Sequence, residues 1–597
     1  MKKLFILGAA ICIVFASCKK DFLDRYPQTS IAPQLFFKSE QDLSLYVNGL
    51  LDLPGKDNYL ADQSSDNLAT TGSIEIKNIM TGSPSSKTIT GGWNWSRLRN
   101  INYFLDNYDK AEVAQEVKDH YAGLARYYRA EFYFGMVKRY SDVPWYSHAT
   151  QPDDSAALYS IRSPRSLVMD SVMSDLAFAA AHVRENVPIG TPNVWAVKTF
   201  YARVALYEGT FRKYHTESNL QNTAAQFLQT ASDVAKDIMS SGKFQIYNTG
   251  HPNQDYAALF NSQDLTSNSE VILVNAYDAS KPGGGGNAAN AFGDYEQSPA
   301  RDLVQTYLMK DGTRFSAVAG YDKFTYVQEF QNRDPRLSQT FAYPGWVRLP
   351  ATTPFVPYFN KNFTGYFQLK GYINTTDNIV NNSTDFPVYR YAEVLLTYAE
   401  ALAELGQIAQ SDLDISVNLL RARAGIPGLD LAFANSNPDP VLMTKYPNVS
   451  GTYGGVILEL RRERRVEFAM EGFRYDDLMR WDAGKLLENI PQGMYFPALG
   501  KYDMTGDGVP DIILIDKGSS IPPEDQKEKN SLGKTLVYYK AGNFGDPVTI
   551  YLSNGTSGAI VTEVTPRSFI DPKDYYRPIP YTQTVLNPNL KQMFGWE

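Results

Sequence analysis

Apolar residues recur at helical spacing through much of the chain. Segments 94–108, 113–140, 163–184, 194–213 and 223–241 each carry them on one face, and the pattern returns at 391–405, 412–425, 456–470 and 472–484. The stretch "YRYAEVLLTYAEALAELGQ" sets Tyr391, Leu395, Tyr398, Leu402 and Leu405 on one side and stops at Gly406, a residue suited to a helix C-terminal cap. Short links between neighbours predict antiparallel helix pairs stacked as a repeat of irregular length, and the small residues of 399–406 look like a tetratricopeptide helix. In 244–387, 426–454 and 486–575 the pattern gives way to Gly, Pro, Asn, Ser and Tyr, with strand-like pieces at 270–277 and 511–516. Ordered loops of such length usually carry function. The expected fold is therefore mostly α, a tetratricopeptide-like helical-repeat scaffold (mainly 38–243, 388–425 and 455–485) with large irregular loop insertions and a few short strands, in one domain.

The N-terminus sets the compartment. "MKKLFILGAAICIVFASCKK" has two lysines, an apolar run from Leu4 to Ala16 and a polar break, an export signal too short for an ordinary membrane span. Ala16 and Ser17 before Cys18 look like a lipobox, which assigns 1–17 to a lipoprotein signal peptide and Cys18 to lipidation; cleavage by ordinary signal peptidase is the alternative. Cys12 lies in the removed segment, so the mature chain, 18–597, has one cysteine and no internal disulfide.

Composition narrows the picture. With 597 residues, 43% hydrophobic and 20% charged, the chain can bury a large core, and no later stretch is apolar enough to span a bilayer. A net charge of -8 argues against general nucleic-acid binding. Forty tyrosines bring aromatics to 13%, which suits wide amphipathic contact surfaces.

Catalytic patterns are sparse. His120, His148, His182, His215 and His251 show no H-E-x-x-H spacing, and there is no G-x-S-x-G elbow. Gly283, Gly285 and Ala288 satisfy G-x-G-x-x-A, but a Pro/Gly spacer precedes them where a strand should turn directly into a helix, so they read as a loop. Glycoside hydrolysis needs only two carboxylates, which spacing along a chain cannot place. No cofactor is required, and the one metal candidate is "DMTGDGVPD": Asp503, Thr505, Asp507 and Asp511 occupy positions 1, 3, 5 and 9 of a calcium-type loop with Gly508 at the turn, but position 12 is Leu514. A structural Ca2+ there, or an ordinary Asp-Gly turn, are the two readings. Four arginines within five residues of "ELRRERRVEFAMEGFRYDDLMRW" alternate with Glu459, Glu463, Glu467 and Glu471, which predicts a salt-bridge-laced helix rather than a basic patch.

Several motifs in order carry a family resemblance over nearly the whole mature chain: "CKKDFLDRYPQTS", "RYYRAEFYFGMVKRYSDVPW", "NRDPRL", "VNLLRARAGIP", "ERRVEFAMEGFRYDDLMRW" and "YYRPIPYTQTVLNPNLKQMFGW". The chain resembles the SusD-like (SusD/RagB) glycan-binding lipoproteins of the outer membrane. Ser141 departs from the glycine usual before "DVP" and puts that turn in question. The resemblance implies about four tetratricopeptide-like helix pairs and a non-catalytic protein. It implies an extracellular lid, lipid-anchored in the outer membrane, that captures oligosaccharide or polysaccharide for a SusC-like TonB-dependent transporter. Lys19, Lys20 and Asp21 resemble the surface-export signal of this class. A surface glycoside hydrolase or an adhesin-type carbohydrate-binding protein is the alternative.

Within "TGGWNWSR" the resemblance makes Trp93, Asn94 and Trp95 the first candidates for sugar contact, with Asp66, Asn67, Tyr295 and Trp346 from nearby family loop regions. A pyranose lays its C–H face on an indole, while amides and carboxylates serve its hydroxyls. Side chains two residues apart are expected to diverge, so that one tryptophan stacks on sugar and the other packs inward.

Overall fold

The computed structural model describes residues 36–596 apart from 152, 288, 294, 295, 377 and 378. Cys18 and Tyr295 therefore lie outside the described residues. The helical segments read from periodicity form as α2 (Ser96–Leu105), α3 (Gln115–Tyr140), α4 (Arg165–His182), α5 (Val194–Tyr214), α6 (Ala224–Ser240), α7 (Tyr391–Leu405), α8 (Val417–Ala424, the second part of 412–425, which splits after Gln410–Asp414), α9 (Gly454–Glu467) and α10 (Arg474–Arg480), and two helices that the periodicity did not mark, α1 (Glu40–Asn48) and α11 (Tyr581–Leu586), flank them. α5 packs on α6 across a short link, α3 lies on α4 across the longer segment 141–164, and α6 packs in turn on α7 although the insertion 241–390 separates them in sequence. Gly406 and Gly425 end α7 and α8 in the left-handed conformation, φ 70° and 67°, that relieves the last carbonyls.

α7 departs from a one-sided helix. Besides its apolar stripe it buries Glu393, Glu400 and Glu404, which meet Arg203, Arg480 and Lys213. The same applies to the arginine-rich α9, where the sequence suggested pairing along one helix. Glu459–Arg462 is such a pair, but most partners lie on other elements. Glu467 receives Arg423 and Arg390 at 2.6 Å and Arg336 at 2.9 Å, and Glu463 receives Arg336 at 2.6 Å and Arg421 at 3.0 Å. Burial raises the Glu467 carboxyl, yet the pull of those three arginines outweighs it and holds the group well below the carboxylate range. Such pairs lock the register of neighbouring elements, since removing one partner strands a buried charge.

The loop-rich regions are more structured than composition suggests, with short helices at Asp255–Asn261, Arg301–Thr306, Arg336–Thr340, Leu431–Ser436 and Pro440–Lys445. Val271–Asn275 and Phe386–Arg390 pair antiparallel, and the second of them leads directly into α7. A four-stranded sheet of Gly500–Tyr502, Ile512–Asp516, Val537–Gly542 and Ile550–Tyr551 covers a second apolar core.

Ser141 caps α3 at φ 61°, ψ -90°, a strained conformation for any residue with a Cβ. That is the physical reason a glycine suits this position. The chain then turns into Pro144–Thr150, which forms one wall of the site.

Candidate functional site

Two glycines seat the aromatic pair. The Gly91 carbonyl accepts hydrogen bonds from Arg139 Nη2 and the Tyr140 hydroxyl, both at 3.1 Å. Gly92 lies at φ 91°, and a Cβ there would sit 2.4 Å from Arg139 Nε, so only glycine lets the backbone pass this close. The chain delivers Trp93 edge-to-face onto Tyr140, with centroids 4.9 Å apart. Asn94 is exposed, and its Oδ1 accepts the Ser96 N–H at 2.9 Å, which helps start α2.

Trp93 and Trp95 meet at 5.3 Å and 77°, a corner of two nearly perpendicular indoles. Trp95 also packs against Phe132, Tyr133 and Tyr146. Both indoles are half-buried and both line one cleft of about 400 Å³. This corrects the expectation of one inward and one outward ring. In the non-helical run into α2, residues two apart share a side, as they do on a strand.

Tyr146 and His148 form the facing wall, with Leu158, Tyr159, Asn587 and Leu590 closing the rim. Asn102 of α2 is buried and donates its amide to the carbonyls of Tyr146 (2.8 Å) and His148 (3.1 Å), holding that wall in place. Burial pushes the Tyr146 phenol above its ordinary value, so it stays a neutral donor and acceptor. Sequence reasoning missed these wall residues. The signal for Tyr146 was the Trp145–Tyr146 pair after Pro144 in a non-helical stretch, whereas nothing local marks Asn587 or Leu590, which tertiary packing brings in from the C-terminal segment.

Asp66 and Asn67 are not at this surface. Asp66 is ion-paired with Arg474 at 2.7 Å and Arg465 at 3.2 Å, and Asn67, fully buried, bridges Asp62 and Arg465 at 2.8 and 2.9 Å. Their polar atoms belong to the interior network, so they are corrected from ligand contacts to structural groups. Trp346 is 9% exposed and packs with Phe292 and Phe355 in a separate aromatic cluster.

The Asp503–Asp511 loop turns its acids onto its own backbone. Asp503 accepts the N–H groups of Thr505, Gly506 and Gly508, Asp507 that of Val509, and Asp511 those of Met504 and Thr505. Among the described residues no three acidic, histidine or cysteine side chains converge as a metal-binding group. Thr505 is buried, and the set as placed fits an Asx-rich turn rather than a calcium cage.

Comparison with known proteins places this geometry. Residues 269–596 match the SusD family model, and residues 21–206 match a model described as starch-binding associating with outer membrane. Among similar proteins, SusD-like protein P2 of Formosa agariphila is 22% identical, covering 81% of this chain and 92% of its own length. SusD-like protein P25 of the same organism is 23% identical, over 79% of this chain and 88% of its own. A SusD-like carbohydrate binding protein from Bacteroides fragilis superposes with TM-score 0.66 at 23% identity, covering 93% of this chain and all of its own. A laminarin binding SusD-like protein superposes at 0.56 with 15% identity, covering 94% of this chain and all of its own. With more than half of its length matched by the family model and its helical scaffold shared with these structures, the chain belongs to the SusD family.

Proposed function

We propose that the chain is a surface-exposed, lipid-anchored glycan-binding protein that captures oligosaccharide or polysaccharide and delivers it to a SusC-like TonB-dependent transporter. The observation that carries the capture step is the chemistry of the cleft. Indole and phenol rings stand beside neutral amides, and no carboxylate is among the described residues lining it. Flat C–H faces of pyranoses lie on such rings while amides meet the hydroxyls. Hydrolysis would need two carboxylates flanking the scissile bond, so the cleft binds without cleaving. The outer-membrane association described for the matched model, and the carbohydrate binding described for the Bacteroides fragilis relative, support the same reading.

Attachment rests on Cys18, because a lipidated N-terminal cysteine supplies the two or more acyl chains that stable anchoring needs. Among the described residues no helix is long and apolar enough to cross a membrane. The purified protein is expected to retain its glycan through prolonged incubation without new reducing ends, and turnover that survives repurification would overturn the reading. In cells lacking the transporter, Cys18→Ala should move the protein from the membrane to the soluble fraction; wholly membrane-bound variant refutes the anchor.

A further inference from the structure

We propose that the segment Pro144–Thr150 is a wall with sugar-contacting faces on both sides, and that one polysaccharide chain straddles it. This rests on the glycan-binding reading above and extends it to the length of ligand recognised.

Alternate residues of the segment face opposite grooves. Pro144, Tyr146, His148 and Thr150 line the cleft of Trp93 and Trp95, whereas Trp145 and Ser147 line a second, more open groove of about 670 Å³. This is the two-residue period of extended chain. The wall is rigid because its backbone groups are satisfied by fixed partners. The Tyr146 N–H donates to the Tyr133 hydroxyl at 2.6 Å, Arg129 Nη1 donates to the Ser147 carbonyl at 3.3 Å, and Asp106 accepts the Ala149 N–H at 2.8 Å. With Asn102 on the Tyr146 and His148 carbonyls, the ridge is held before any ligand arrives. Ser147 and His148 at its crest are exposed, the His148 side chain by 81%, so a chain can pass over it.

The second groove has a lining that suits sugar. Trp145 is half-buried and held against Tyr133, with centroids 4.3 Å apart. Beside it runs one face of α4, where Ser166, Asp170, Ser171 and Ser174 recur at helical spacing. The cations there are already engaged: Arg129 grips Asp175 at 2.7 and 2.8 Å, and the Arg126 guanidinium lies 4.0 Å over the Phe178 ring. Hydroxyls beside an indole, with no unneutralised cation cluster, select a neutral polyhydroxylated chain over an anionic one. The groove is too open to hold a small molecule alone, so its contribution appears when a chain already seated at Trp93 and Trp95 continues across the ridge.

The test uses soluble starch, laminarin, xylan, mannan and levan as probes, followed by the disaccharide and a long oligosaccharide of whichever polysaccharide the protein retains. Trp145→Ala should weaken the long chain roughly fivefold, the scale of one aromatic contact, and separately the triple variant Ser166→Ala, Asp170→Ala, Ser174→Ala, which leaves the Tyr133 contact intact, should weaken it severalfold, the scale of lost hydrogen bonds, with the disaccharide unchanged in both. Trp95→Ala should weaken both. If the triple variant binds the long chain like the parent, the wall has one sugar face and the inference fails, while loss with Trp95→Ala would still uphold the first cleft. If Trp145→Ala does not fold, the triple variant decides. Retention of none of the five polysaccharides overturns the glycan-binding reading and this inference with it.

Discussion

Replacing Trp93 and Trp95 singly by alanine separates what each indole does for ligand from what it does for the fold. Trp93 meets two rings, those of Trp95 and Tyr140, whereas Trp95 meets four, those of Trp93, Phe132, Tyr133 and Tyr146. At about 1 kcal/mol per aromatic pair, Trp93→Ala costs about 2 kcal/mol of stability and Trp95→Ala about 4 kcal/mol, within the range of large-to-small aromatic truncations. Each indole also loses its contact with sugar, about 1 kcal/mol or roughly fivefold in affinity. Trp95→Ala should lose more, because Tyr146 on the facing wall loses its support. Calorimetric titration with the retained oligosaccharide, well below both melting points, measures binding, and parallel melting curves measure stability. The expected order is parent, then Trp93→Ala, then Trp95→Ala in both. Two folded variants that bind like the parent would place the sugar elsewhere, and equal melting of the two would refute the packing argument.

Burial raises the Asp66 carboxyl, but Arg465 and Arg474 outweigh it and bring it down to about 2 from an unfolded 3.8. A depressed folded value stabilises above the unfolded one, so about 2 kcal/mol is present above about pH 4 and is lost as pH falls through about 2. The stability gap between parent and Asp66→Asn in urea should therefore narrow from about pH 5 downward; a pH-independent gap refutes the ion-pair account. Ser141→Gly should raise the melting temperature, by the equivalent of about 1 kcal/mol, because the φ of 61° no longer strains a Cβ; an unchanged or lower value refutes the strain. Asp503→Ala should cost about 1 kcal/mol by freeing the loop amides it holds. Calcium added to chelator-treated parent should leave the melting curve unmoved, and a calcium-dependent rise abolished by Asp507→Ala would restore a metal to this loop.

Helix positions and ends were legible in the chain because apolar periodicity and glycine caps are local properties. α3, α5 and α7 formed where the 3.6-residue pattern lay, and Gly406 and Gly425 stopped their helices as their lack of a Cβ allows. The aromatic pair in "TGGWNWSR" was also visible, since two glycines before two indoles in a polar stretch have no local helical purpose. Tertiary structure decided which charges pair and which rings share a cleft. Glu467 reads from sequence as one member of a charged helix, yet its partners Arg336, Arg390 and Arg423 come from three other elements, because burying α9 on several sides removes the water that would otherwise solvate it. Asp66 and Asn67 sit close in sequence to the predicted site, but Arg465 and Arg474 draw them into the interior. Conversely, Tyr146, Asn587 and Leu590 join Trp93 and Trp95 only after α3 turns at Ser141 and the C-terminal segment folds back across the first helices. Local spacing determines what a segment can become, while the convergence of distant segments depends on long-range packing that no single stretch encodes.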